Sequence, residues 1–320
     1  MSTCLILGGG GYIGHNWAKR LAARKRFARI VLADVRPPSG SLDDICEFVK
    51  CDVRQPLSFD GLKPEWLFNF AAVHREPGHE REEYFDTNIA GANHACTFAE
   101  QSGCRNILFT SSIAVYGALK QPTSEASPLY PYSPYGISKL CAELIFKGWQ
   151  RSGAGRRLHI CRPGVIYGPG DPGNILRMIR AVRKGYFIFP GSRHLRKSYG
   201  YIEGLLDSFE FVMAQEEKQL TYNYVERETE TLGTLVQLVQ AHLGKRTPTL
   251  TAPLPVLTAA AALTQLLTGG RSPIHPVRVR KTASSTHVVP EALLKLGFEF
   301  RYDFAASLKD WAKKSPEDFR

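Results

Sequence analysis

Tyr135 and Lys139 stand four residues apart in Ser133-Pro134-Tyr135-Gly136-Ile137-Ser138-Lys139. Ser133 suits a helix N-cap and Pro134 its first turn. The spacing therefore predicts a tyrosine hydroxyl and a lysine ammonium on one helical face. An ammonium beside a phenol favours the phenolate, which makes Tyr135 a candidate acid–base group and Lys139 its activator. Upstream, the apolar run Asn106–Thr110 ends in Ser111-Ser112. Ligands bind at the carboxyl edge of parallel strands, so Ser112 could hydrogen-bond a substrate hydroxyl or carbonyl. Tyrosine, lysine and serine in this order outweigh any one of them, since Y-x-x-x-K alone is a common chance match.

A second constellation opens the chain. The strand-like run Thr3–Leu7 leads into Gly8-Gly9-Gly10-Gly11-Tyr12-Ile13-Gly14, and Ile13, Trp17 and Leu21 then recur at helical spacing. Gly8, Gly11 and Gly14 give G-x-x-G-x-x-G at a strand-to-helix turn, where backbone N–H groups and the helix dipole can meet a pyrophosphate. The next apolar run ends at Asp34, where a carboxylate accepts hydrogen bonds from ribose hydroxyls and repels a 2′-phosphate. NAD is favoured, and Arg36, able to pair with a phosphate, keeps NADP open.

The elements that must carry these groups alternate. Apolar runs at Thr3–Leu7, Ile30–Ala33, Phe48–Cys51, Trp66–Ala71, Asn106–Thr110 and Arg157–Cys161 are separated by helix-like stretches, among them roughly 84–101 and 134–151. That pattern predicts an α/β fold with a doubly wound parallel sheet. Thr221–Val225 reads as a strand returning to it, and the remainder reads as a smaller C-terminal domain. Length and composition agree: 320 residues, 43% hydrophobic and 22% charged, describe a globular chain rather than a disordered one. A net charge of +11 favours anionic ligands without choosing among them. Seven dispersed cysteines with no C-x-x-C pair argue for reduced thiols in a cytosolic protein, against a disulfide frame, and against a metal site. No nucleic-acid motif stands out, and no signal peptide is expected. The apolar stretch 252–270 is too broken by Pro253, Pro255, Gln265 and threonines to be stably inserted in a membrane, and reads as a helix of the core or of the substrate domain, with membrane contact as the minor alternative.

Taken together, GGGGYIG, Asp34, Cys51-Asp52-Val53, Phe70-Ala71-Ala72, Asn88, FTSSIAVYG, SPYGISK and RPGVIYGPGD resemble the extended short-chain dehydrogenase/reductases, of the nucleotide-sugar epimerase/dehydratase type. The resemblance implies a Rossmann-like domain over 1–165, re-entered at about 195–225, and a substrate-binding domain from 166–194 and 226–320. It implies that Gly8, Gly11, Tyr12, Ile13, Gly14 and Asp34 hold the dinucleotide with Asp52 and Val53 at adenine. Ala71 and Ala72 would line the dinucleotide, Asn88 would brace the central strands, and Pro163 would abut the nicotinamide. Ser112, Tyr135 and Lys139 become the catalytic set, with Lys139 also on the nicotinamide ribose. Asn174 and Arg196 or Lys197 match positions that contact a substrate diphosphate, and Arg278 or Arg280 could add a later contact. It also implies a homodimer through a four-helix bundle.

The departures sharpen the reaction. Ile113-Ala114 stand where sugar 4,6-dehydratases carry Asp-Glu, so water elimination is not expected. Gly164 replaces a frequent asparagine and Gly204 a frequent aspartate. The leading expectation is a cytoplasmic nucleotide-sugar C4 epimerase with bound NAD. The alternative is a net NAD(P)H-dependent ketoreductase acting on a 4-keto nucleotide sugar or a more apolar ketone.

Overall fold

The computed structural model describes residues 2–75, 78–118, 121–171, 173–245, 248–269 and 275–320. The first half runs β1 (Thr3–Leu7), α1 (Tyr12–Ala23), β2 (Arg29–Asp34), β3 (Cys46–Lys50), β4 (Trp66–Asn69) and α2 (Arg81–Phe85). A π-helical turn, Asp86–Ala90, joins α2 to α3 (Gly91–Ser102), followed by β5 (Asn106–Thr110), α4 (Pro134–Arg151) and β6 (Arg157–Pro163). The second half runs β7 (Val165–Tyr167), α5 (Asn174–Lys184), β8 (Ile188–Pro190), β9 (Tyr199–Tyr201), α6 (Ile202–Met213) and β10 (Gln219–Tyr224). It ends with α7 (Leu232–His242), β11 (Leu250–Ala252), α8 (Leu254–Leu267), α9 (Pro276–Thr282), α10 (Glu291–Lys295) and α11 (Phe304–Lys314).

Seven strands form one parallel sheet in the order β10-β6-β5-β4-β1-β2-β3. Both faces of the central strands are covered, which is why β1, β2, β4 and β5 read as nearly unbroken apolar runs. In β1, Cys4 and Ile6 enter the core layer that contains Trp17 of α1 and Phe209 of α6. Leu5 and Leu7 enter the opposite layer, with Ala95 of α3 and Phe146 of α4. Trp17 meets Phe68 and Phe209 edge-to-face, each at 5.4 Å between centroids. Strand order reverses between β1 and β4, so a crevice opens at their carboxyl ends. The chain re-enters the sheet at β10, beside β6. Two small parallel pairs, β7 with β9 and β8 with β11, lie outside it.

His159 of β6 is buried among apolar groups, its ring stacked 5.8 Å from Trp66, and neither ring nitrogen has a hydrogen-bond partner among the described residues. Burial lowers its pKa to about 4. The unfolded chain takes up that proton near pH 6.5 and the folded chain does not, so stability falls as pH drops from about 6.5 through 4. The expected loss is about 3 kcal/mol at most. Denaturant midpoints of His159→Leu should be flatter over that window than those of the native chain; parallel pH profiles would remove His159 as the cause.

The stretch 252–270 does not enter the core. It forms the end of β11 and α8, in which Ala261 alone is buried; Gly270 lies outside the described residues. Composition cannot tell a core helix from a surface one of equal apolarity, and the sheet faces are already filled by other helices. Among the described residues no helix is long and apolar enough to cross a membrane, and all seven cysteines are free.

Candidate active site

The glycine turn sits at the point where strand order reverses. Gly8 has φ +78°, and a Cβ there would stand 2.5 Å from the backbone nitrogen of Ala71, just past β4. A Cβ on Gly14 would run into the Gly8 carbonyl, which accepts from the Gly11 N–H at 3.1 Å. α1 starts at Tyr12 with no side-chain cap and no acid in its first turn, so its first N–H groups and dipole are left for an anion. This uncapped cradle fits the pyrophosphate of a dinucleotide. Gly8→Ala puts a side chain at a left-handed φ and against the Ala71 backbone. It should abolish dinucleotide retention, as read by analysing the nucleotide released on denaturation; full retention would mean the cradle lies elsewhere.

Asp34 ties this turn together. Its Oδ2 accepts from Gly10 N at 3.1 Å and its Oδ1 from Arg36 N at 3.2 Å. Each oxygen keeps a lone pair for a further donor. Arg36 itself is exposed, and its carbonyl closes over Gly10. Asp52 is paired with the Arg54 guanidinium at 2.6 Å, which holds its carboxyl below the usual range. Val53 is buried against Gly91. Ala71 N donates to Asn69 Oδ1 at 3.2 Å, and Ala72 follows it, half-buried, on the crevice floor. Tyr12 packs toward Gly168, and burial raises the pKa of its hydroxyl, with Asp171 adding to the shift.

The chemical groups come from β5 and α4. Ser133 Oγ accepts from Gly136 N at 3.2 Å, so the expected cap is formed and Pro134 occupies the first turn. Tyr135 is half-buried, its ring 6.5 Å from that of Tyr84. Lys139, one turn on, is 2% exposed. Its Nζ donates to Thr110 O at 2.8 Å and lies 4.7 Å from the Phe109 ring centroid. Burial lowers its pKa to about 7, and the nearby Glu143 carboxylate opposes that shift. Ser112, two residues beyond Thr110, caps the short 3-10 turn Ile113–Tyr116 through Ala114 N at 3.1 Å. Lys139 thus sits at the strand edge from which Ser112 follows, Tyr135 stands one helical turn before it, and the turn after Ser112 carries no carboxylate.

Asn88 ties the segment leaving β4 to α4. The π turn aims it at the loop after β4, where it accepts from Val73 N (3.0 Å) and donates to Val73 O (3.1 Å) and Ser138 Oγ (2.8 Å). It couples the cradle's far wall to the helix bearing Tyr135.

Sequence reading missed the group beneath the site. Glu143 is fully buried and bound by Arg162 through Nε (2.8 Å) and Nη2 (2.7 Å), by Ser111 Oγ (2.6 Å) and by Lys147 (3.5 Å). Arg162 continues to the Tyr116 hydroxyl at 3.0 Å, which donates to Asn223 at 2.7 Å. The available signal was spacing: Glu143 follows Lys139 by one helical turn.

The expected substrate residues are more scattered. Pro163 closes β6, buried and paired with Tyr224 of β10. A Cβ on Gly164 would meet the Ser198 carbonyl, and one on Gly204 the Tyr224 hydroxyl, so the space an asparagine or aspartate would need is filled. Asn174 is the exposed first residue of α5. Lys197 caps the end of α9, donating to Lys281 O at 2.8 Å and to Ser284 O; burial lowers its pKa to about 8. Arg196 donates to Thr229 O and lines a polar cavity of about 370 Å³ with Arg227, Glu228 and His287. Arg280 is exposed on α9. Among the described residues no His/Cys/Asp/Glu group could hold a metal ion.

Comparison with known proteins agrees with this architecture. A protein of Escherichia coli O157:H7 named N-acetyl-alpha-D-glucosaminyl-diphospho-ditrans,octacis-undecaprenol 4-epimerase is 29% identical over 243 residues, covering 74% of this chain and 73% of its own. A UDP-glucose 4-epimerase of Lacticaseibacillus casei is 32% identical over 150 residues, 45% of each chain. The solved structure of MoeE5 in complex with UDP-glucose and NAD shares the fold, with a TM-score of 0.75 at 20% identity over 98% of this chain and 100% of that one. The profile of the NAD dependent epimerase/dehydratase family matches residues 4–224. With the glycine cradle, the reversed strand order and the Tyr135–Lys139 helix in place, the chain belongs to that NAD-dependent epimerase/dehydratase family.

Proposed function

We propose that the protein inverts C4 of a sugar joined to a diphosphate, as in a nucleotide sugar, with Ser112, Tyr135 and Lys139 as its catalytic set. The observation that carries this is Lys139, buried one turn from Tyr135 and held on the Thr110 carbonyl beside Ser112. A cation fixed there favours the Tyr135 phenolate, which takes the proton of the sugar O4 hydroxyl. Ser112 Oγ hydrogen-bonds the same oxygen as it becomes a carbonyl. NAD held in the glycine cradle would supply a reversible acceptor for the C4 hydride, and the 4-keto sugar, turning about its diphosphate, would receive the hydride back on its other face. Tyr135 then returns its proton to O4, so no net proton or electron leaves the site. Asn174, Arg196, Lys197 and Arg280 supply polar or cationic contacts for the diphosphate, and the segments 166–194 and 226–320 form the substrate domain. The E. coli relative is named for a sugar linked by diphosphate to a polyprenol, which supports a diphosphate handle. Water elimination is not part of the reading, because Ile113 and Ala114 carry no acid.

A second reading, a net ketoreductase using the same trio, is favoured by Gly164 and Gly204, where side chains that could grip a nucleotide sugar are missing and their space is filled. Denaturing the purified protein and identifying the released nucleotide separates the two. Near-stoichiometric NAD supports epimerisation. An empty protein that consumes NADH or NADPH in proportion to product supports the reductase and overturns the first reading. We further propose a homodimer through α3 and α4, where Leu144 is exposed.

A further inference from the structure

The fourteen residues of α8, Leu254–Leu267, carry no charge. Apart from Thr258, Thr264 and Gln265 every side chain in it is apolar, and a helix of that composition belongs in a core or against lipid, yet Ala261 alone is buried. Val256, Leu263, Leu266 and Leu267 are exposed by 59%, 55%, 78% and 75%. At its N-terminal end, Ile188 and Leu250, paired between β8 and β11, are exposed as well. The threonines turn their hydroxyls onto the helix itself: Thr258 to Leu254 O at 2.8 Å, Thr264 to Ala261 O at 2.9 Å, and Thr268 just beyond to Thr264 O at 2.7 Å. Hydroxyls satisfied without water are what a low-dielectric neighbour requires. α9 packs against α8 and adds Arg278, Arg280 and Lys281, the last two exposed. At roughly 1.5 Å per residue α8 is about 21 Å long, short of the ~30 Å of a bilayer's hydrocarbon. It can lie on a membrane and cannot cross one.

We propose that α8, flanked by the basic α9, docks on the surface of an anionic lipid bilayer, and that the site accordingly takes a sugar whose diphosphate carries a lipid tail. An apolar helix beside cations is the pattern of interfacial binding. Charge decides between lipid and a second copy of the chain. In a symmetric contact at this face the α9 cations of two copies would be brought together, whereas an anionic surface is attracted to them. The substrate half rests on the diphosphate-sugar reading of the site; the docking half does not.

The test is flotation of the purified full chain with phosphatidylcholine vesicles, with and without phosphatidylglycerol. The protein should float with the anionic vesicles and be released by high salt. The double variant Leu266→Glu/Leu267→Glu, with an unchanged Tm, should bind at least about tenfold more weakly. Its kcat/KM should fall at least about tenfold for a polyprenyl-diphosphate sugar in those vesicles, and stay level for a soluble UDP-sugar. No flotation of the native chain, or equal flotation of the variant, overturns the docking. So does a variant that turns from dimer to monomer while floating unchanged, which would make the leucines a contact between copies. Turnover of soluble nucleotide sugars alone overturns the substrate half. Flotation needs no turnover, so an inactive protein that floats refutes the epimerase reading and leaves the docking standing.

Discussion

Tyr135→Phe is expected to lower kcat by about three orders of magnitude while NAD stays bound. The magnitude is that of removing a positioned acid–base group. The substitution deletes one oxygen and keeps the ring that lies 6.5 Å from Tyr84. The dinucleotide is assigned above to the cradle of Gly8, Gly11 and Gly14, which this change does not touch. KM should therefore move little while kcat collapses, the split expected when an interaction made in the transition state is lost. A variant with full turnover would remove Tyr135 from the mechanism. A variant that lost NAD would make its role a binding one.

The largest stability effect is expected at Glu143. Glu143→Leu leaves the Arg162 guanidinium, whose side chain is 3% exposed, without its bidentate partner. Stripping one member from a buried ion pair costs about 3–5 kcal/mol, because the remaining charge is uncompensated. The double change Glu143→Leu/Arg162→Met removes both charges and should recover most of that loss. Denaturant unfolding of the four species gives the coupling; additive losses would mean that the pair does not act as a unit. Function should follow. The Glu143 carboxylate opposes the lowering of the Lys139 pKa. In a folded Glu143→Gln variant Lys139 should therefore lose its proton at lower pH, and the alkaline limb of kcat should move down.

The parts of this molecule that were legible in its sequence are those set by short-range rules. Parallel strands buried on both faces are mostly apolar, so the central runs, such as Thr3–Leu7 and Asn106–Thr110, stood out, and alternation with helices located the rest. Each lies within a few residues of its strand. The Ser133 cap and Pro134 fixed the start of α4, and with it the shared face of Tyr135 and Lys139. Pairings between distant residues were not legible. Glu143 and Arg162 meet across nineteen positions because α4 packs against β6. Asn88, within a π turn, meets Ser138 across fifty positions. The bonds from Lys197 to the carbonyls at the end of α9 span more than eighty positions and were equally hidden. The apolarity of α8 was plain, but its exposure depends on which surfaces the other helices had already covered.

The most direct test of C4 epimerisation follows the hydrogen itself. The protein, with no added dinucleotide, is incubated with a UDP-sugar carrying deuterium at C4, and the products are read by NMR and mass spectrometry. The account predicts the C4-inverted sugar with deuterium still at C4 and no net formation of NADH, because the hydride leaves and returns within one site. Inversion with loss of deuterium to solvent, or oxidised sugar formed with an equal amount of NADH, would contradict it.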